Sequence, residues 1–94
     1  MKIRVELVGQ LRDIVGSDKT LVEVEEGSTI HYLLMKMVEK YGRKLEERVF
    51  TKITREVSDD VTIVLNGMVI PVEKASSTVL NEADILVLMP EAII

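Results

Sequence analysis

The sequence predicts an α+β fold: a mixed sheet of about five strands with one main helix packed on one of its faces. Three observations carry this. Ile30, Leu33, Leu34, Met37, Val38 and Tyr41 recur at helical spacing and form one unbroken apolar stripe. Val61–Leu65 and Met68–Val72 are apolar runs separated by Asn66-Gly67, a pair that favours a two-residue hairpin because a type I′ turn needs positive φ at both positions. Asp84–Met89 reads as the last strand, and with Leu86, Val87 and Leu88 apolar in succession it is predicted to be buried on both faces in the middle of the sheet.

The elements follow in order. Over residues 2–8, Lys2, Arg4 and Glu6 alternate with Ile3, Val5 and Leu7, the period-2 pattern of a half-buried strand. Gly9 and Gly16 bracket a short turn or single helical turn. Residues 19–25 alternate again, with Thr20, Val22 and Val24 on one face and Leu21, Glu23 and Glu25 on the other, so the two strands predict a hairpin. Ser28 or Thr29 caps the main helix and Gly42 stops it. Residues 43–50 predict a second short helix with Leu45 and Val49 on one side, and residues 51–60 a polar loop. Pro71 has no N–H to give a ladder, which places the second hairpin strand at a sheet edge. Residues 73–83 connect to the last strand. A hairpin, a crossover helix and returning strands, with the first and last strands as parallel neighbours, make a β-grasp.

Composition narrows the function classes. Ninety-four residues make one domain, spanning 1–94, and the aromatic residues are Tyr32, Tyr41 and Phe50, so the core is aliphatic. The net charge of −4, with basic and acidic residues interspersed, argues against a nucleic-acid surface. The absence of cysteine removes disulfides, thiolate catalysis and thiolate metal sites. No apolar run has the length of a signal peptide or a membrane helix, so the expected location is cytoplasmic, with no membrane partner.

No set of nucleophile, base and orienting group can be assembled, and neither a metal nor another cofactor is expected. His31 is the only histidine and reads as an exposed polar residue in the first helical turn. Asp59-Asp60 and Glu25-Glu26 are adjacent in sequence, so their side chains diverge on extended backbone and read as solvated loop charges. Ser28-Thr29 and Ser76-Ser77-Thr78 suit caps and turns. Met37 belongs to the stripe and Met35 lies off it.

Several segments carry a resemblance. Residues 5–16, Val5-Glu6-Leu7-Val8-Gly9-Gln10-Leu11-Arg12-Asp13-Ile14-Val15-Gly16, contain a strand and a "GQLRD" turn. Val24–Ile30 leads into the helix, Val64-Leu65-Asn66-Gly67 forms the hairpin, and Thr78–Ile85 leads to the last strand. In this order and spacing the chain resembles the ubiquitin-like family of the molybdopterin synthase small subunit, with the thiamine sulfur carriers and small archaeal modifier proteins as relatives. Ala83 stands where that family usually has glycine. The resemblance implies a non-catalytic carrier whose partner is a protein, either the synthase large subunit or an adenylating activating enzyme.

It also implies a reactive C-terminus. In the family a diglycine tail threads a narrow channel of the activating enzyme, its carboxylate forms an acyl-adenylate, and sulfur transfer gives a thiocarboxylate. Here the tail reads Pro90, Glu91, Ala92, Ile93, Ile94, and no two glycines are adjacent anywhere in the chain. Glycine suits such a channel because it lacks Cβ, whereas isoleucine is β-branched and stiff. Three readings fit. The natural chain is longer or altered at its end, the protein keeps the docking surface and has lost the chemistry, or a tolerant partner activates the carboxylate. The second is the one expected here, and the alternative is a genuine sulfur carrier or small protein modifier.

The expected docking surface is the sheet face turned away from the helix, built from Arg4, Val8, Val64, Leu86 and Leu88. An apolar patch rimmed by charge commonly marks a protein partner. The competing expectation is that segment 43–60 covers this face. The chain is expected to be a monomer or a weak homodimer.

Overall fold

In the computed structural model, which describes residues 1–90, the opening alternation becomes β1 (Lys2–Leu7), with Ile3, Val5 and Leu7 buried and Lys2 and Arg4 exposed. Gly9 and Gly16 bound the short helix α1 (Gln10–Val15), which buries Leu11 and ends on Gly16 in the left-handed conformation. The chain returns as β2 (Lys19–Glu23), antiparallel to β1 with Arg4 opposite Leu21.

The apolar stripe forms α2 (Ile30–Tyr41). Thr29 caps it, its hydroxyl accepting the Tyr32 N–H at 3.2 Å. Ile30, Leu33, Leu34 and Met37 are buried, while Val38 and Tyr41 are half-buried at the margin. Gly42 does double service. Its N–H bonds the Val38 carbonyl and closes α2, and its carbonyl accepts the Glu46 N–H at 3.2 Å in α3 (Arg43–Val49). The backbone there has φ 89 and ψ −166, a conformation suited to glycine that redirects the chain between two abutting helices.

Residues 51–60 form no helix or strand, but they are not wholly a surface loop. Phe50 and Val57 bridge and are both buried against the core. The hairpin follows as β3 (Val61–Leu65) and β4 (Met68–Ile70), with Asn66 and Gly67 at φ 50 and 85 as the turn demands. The second strand stops at Ile70 rather than running to Val72, because Pro71 cannot donate to a ladder. A single 3₁₀ turn, Val72–Lys74, opens the connection to β5 (Ile85–Pro90).

The sheet order is β2-β1-β5-β3-β4, with β5 parallel to β1 and all other pairs antiparallel. This is the β-grasp arrangement, with β5 central and the Pro71-terminated strand at an edge. One aliphatic cluster joins the inner face, including Ile3, Val5, Ile63, Leu86 and Leu88, to the helices through Leu33, Leu34, Met37, Leu45 and Val49. The helix α3 packs on α2 and α1, so segment 43–60 adds to the helical layer, and among the described residues the other sheet face is uncovered.

Candidate docking face and tail root

Alternation along β1 puts Arg4 and Glu6 on the outer face, and the sheet register decides what stands beside them. Arg4 lies between Leu21 of β2 and Ile85 of β5. Glu6 lies opposite Val87, Val87 opposite Val64, and Val64 opposite Val69. Met89 lies opposite Thr62, and Val8 continues past β1 with its N–H on the Leu88 carbonyl at 3.1 Å. Val69 is 67% exposed, Val8 42% and Ile85 37%, and Val64, Val87 and Met89 are half-buried among their neighbours. The result is an apolar strip crossing the sheet, bordered on the β1 side by the Arg4–Glu6 ion pair at 3.3 Å. That pair is partly exposed and contributes little stability.

Three residues of the expected surface, Arg4, Val8 and Val64, do lie on or beside this face. Leu86 and Leu88 do not: both are fully buried in the core. The reason is register. Leu86 and Leu88 pair with Val5 and Leu7, so they share the inward face of those residues. Val87, Met89 and Ile85 take the outward places. The last strand is therefore central but buried on one face only. With Leu86, Val87 and Leu88 all apolar, the sequence carries no polar mark to show which parity faces out. The parallel alignment of the first and last strands is the one signal that could have shown it.

The tail leaves from Pro90, which pairs with Val61 at the end of β5. Gly9, at φ 62 and ψ −134, closes over it. A Cβ at Gly9 would stand 3.3 Å from Cγ of Pro90, so only glycine allows this approach without displacement. The start of the tail is thus held between the β1–α1 turn and β3, with Gln10, Arg48 and Asp60 beside it. Glu91, Ala92, Ile93 and Ile94 lie outside the described residues.

The other end of β5 is fixed by a polar clamp that sequence reading did not foresee. Asp84 is buried, accepting from the Asn66 side-chain amide at 2.8 Å and the Asn81 N–H at 2.7 Å. The Ile85 N–H in turn donates to the Asn66 side-chain oxygen at 2.9 Å. The signal was a single Asp placed just ahead of an apolar run. Ala83, one residue earlier, has φ 71, a conformation where glycine would be unstrained.

Among the described residues no cluster of three metal-ligating side chains competes with this face. His31 is half-buried rather than exposed: its ring meets Phe50 edge-on with centroids 5.2 Å apart, and Nε2 lies 3.2 Å from the Arg55 carbonyl. That is a packing role. No described helix is long and apolar enough to cross a membrane.

Comparison with known proteins agrees with this geometry. The fold is shared with small archaeal modifier protein 1 from Haloferax volcanii, at 24% identity and a TM-score of 0.84 over 98% of this chain and 97% of that one. It is shared with a Pyrococcus furiosus protein titled molybdopterin converting factor, subunit 1, at 22% identity and a TM-score of 0.77 over 98% and 99% of the two chains. A chain of the Amycolatopsis orientalis BexX/CysO complex matches at 12% identity and a TM-score of 0.77 over 97% of each. No curated protein sequence matches significantly. The ThiS family matches residues 5–91, a span that runs from β1 through the whole sheet to the tail root, and the chain belongs to this family of ubiquitin-like sulfur carriers.

Proposed function

We propose that the chain is a non-catalytic docking module of the sulfur-carrier type. Its outer sheet face binds a protein partner and its tail is led from Pro90 into that partner. The observation that supports this best is the path of β5. The central strand carries Val87 and Met89 on an uncovered apolar face and runs directly into the clamped tail root at Gly9 and Pro90. A partner seated on this strip therefore receives the tail without any rearrangement of the fold. The partner expected from the family is a synthase large subunit or an adenylating enzyme, and a partner-bound relative occurs in the BexX/CysO complex.

The test is binding of the chain to each candidate partner, by calorimetry or surface plasmon resonance, with Val8→Asp and Val69→Asp as outer-face variants. Both side chains are exposed, so both variants are expected to fold. The expected result is binding to one partner class, weakened at least about tenfold by either change, which is about 1.4 kcal/mol. Binding that neither variant alters would move the site off this face.

A further inference from the structure

Among the described residues β2 is an edge strand, paired with β1 alone. Its main-chain groups can be assigned a direction. Val24 donates to the Met1 carbonyl and Leu7 donates to the Asp18 carbonyl, both at 2.9 Å. Bonded pairs alternate along an antiparallel ladder, so Thr20 and Val22 turn their main-chain groups toward β1. Lys19, Leu21 and Glu23 turn theirs to the open edge. The Ser17 hydroxyl caps those of Lys19, at 3.2 and 2.7 Å. Among the described residues no strand lies beyond Leu21 and Glu23. The side chains of Lys19, Leu21 and Glu23 are exposed on the outer face, Leu21 at 61%.

The segment Lys19-Thr20-Leu21-Val22-Glu23 is its own complement when reversed. A twofold axis through Leu21 brings Lys19 of one copy opposite Glu23 of the other, twice, and sets Thr20 opposite Val22. We propose that β2 is a homodimerisation edge whose occupant is a second copy of this chain, paired antiparallel about Leu21 into one continuous sheet.

Charge complementarity selects this occupant and this register. Within each copy Glu6 already stands opposite Lys19, and Lys2 opposite Glu23. Across the seam one outer row then runs Glu6, Lys19, Glu23, Lys2, alternating in sign throughout. A slip of one residue turns Leu21 against the wrong face, and a slip of two separates each Lys from its Glu. On the helical side Lys36, Lys40 and Tyr41 line the groove beside β2, with Lys40 held 5.4 Å over the Tyr41 ring. The lysines of the two copies flank the seam and oppose it. The five residue pairs of the seam, whose outermost bonds displace the Ser17 hydroxyl from Lys19, also form a contact smaller than the roughly 1,200 Å² of a stable interface. The dimer is accordingly weak and populated at high concentration. It leaves β5 and Pro90 open, so it is independent of the docking reading.

The experiment is sedimentation equilibrium of the 94-residue chain from micromolar to millimolar concentration, with thermal unfolding followed by circular dichroism as a check on folding. A reversible monomer–dimer equilibrium is expected. Leu21→Pro removes an edge-facing N–H without removing a ladder bond to β1, and is expected to weaken the dimer at least about tenfold. Lys19→Glu alone and Glu23→Lys alone each set like charges across the seam and should be monomeric. An equimolar mixture of those two single variants should form a heterodimer, because every cross-seam pair becomes opposite in charge. That last result decides the question even if Leu21→Pro fails to fold. A wild-type chain monomeric throughout, a dimer indifferent to Leu21→Pro, or a mixture no better associated than its components would overturn the proposal. In the first case the edge is left to an extended peptide of another protein.

Discussion

Asn66 and Asp84 lock the β3–β4 turn to the start of β5. The Asn66 amide donates to the Asp84 carboxylate at 2.8 Å, while its oxygen accepts from the Ile85 N–H at 2.9 Å. One side chain therefore satisfies two adjacent residues at the start of β5, and it does so from a turn position with φ 50. Asn66→Asp would replace the donor by an oxygen facing a carboxylate. The expected loss of stability is about 1–3 kcal/mol in urea or guanidinium unfolding. A loss under roughly 0.5 kcal/mol, the level of an ordinary surface change, would show that the clamp is idle.

Ala83 gives a prediction of opposite sign. At φ 71 an alanine is strained by about 1–2 kcal/mol, whereas glycine pays about 0.4–1 kcal/mol in unfolded-state entropy. Ala83→Gly should therefore stabilise the chain by up to about 1.5 kcal/mol, read as a higher denaturant midpoint at constant slope. A lower midpoint would mean that the neighbouring clamp holds this turn in another way.

The core and the outer face are separable by mutation. Leu34→Ala in the buried helical stripe should lose about 2–5 kcal/mol. Leu88→Asp should prevent folding, since it places an unpaired carboxylate in the core. Val8→Asp, on an exposed site, should leave the unfolding midpoint nearly unchanged and act only on partner binding. A folded Leu88→Asp protein would contradict the register between β1 and β5.

Gly9→Ala should disturb the tail root. It meets both a positive φ and a contact at 3.3 Å with Pro90, and the expected loss is about 1–3 kcal/mol. Proton chemical shifts of Pro90 should move with it. If they do not, Pro90 is held by Val61 alone.

The acyl chemistry of the tail is tested separately. A polypeptide prepared to end at Ile94, incubated with ATP and a cognate activating enzyme, should show neither an adenylate nor an oxygen-for-sulfur exchange by intact mass. The Ile93→Gly/Ile94→Gly double variant should gain the modification if those two side chains are the whole obstacle. Binding of both without reaction of either would point to Glu91, whose charge is costly to bury unpaired.

Local pattern in the sequence determined most of the architecture. The stripe from Ile30 to Tyr41 gave the main helix, Asn66-Gly67 the hairpin, and the alternation over residues 2–8 the inward set Ile3, Val5 and Leu7, because helical and strand periods are written directly in the chain. The motifs from Val5 to Ile85 identified the family. The tertiary structure alone decided how the last strand faces. Period-2 alternation states which residues share a face but not which face is inside, and in an all-apolar stretch even that mark is missing. Only pairing with Val5 and Leu7 turned Leu86 and Leu88 into the core and Val87 and Met89 outward. The contacts of His31 with Phe50, of Gly9 with Pro90 and of Asn66 with Asp84 join residues 19, 81 and 18 positions apart. The last two arise from the sheet order and the first from the packing of α3 on α2, each bringing the ends of distant elements together.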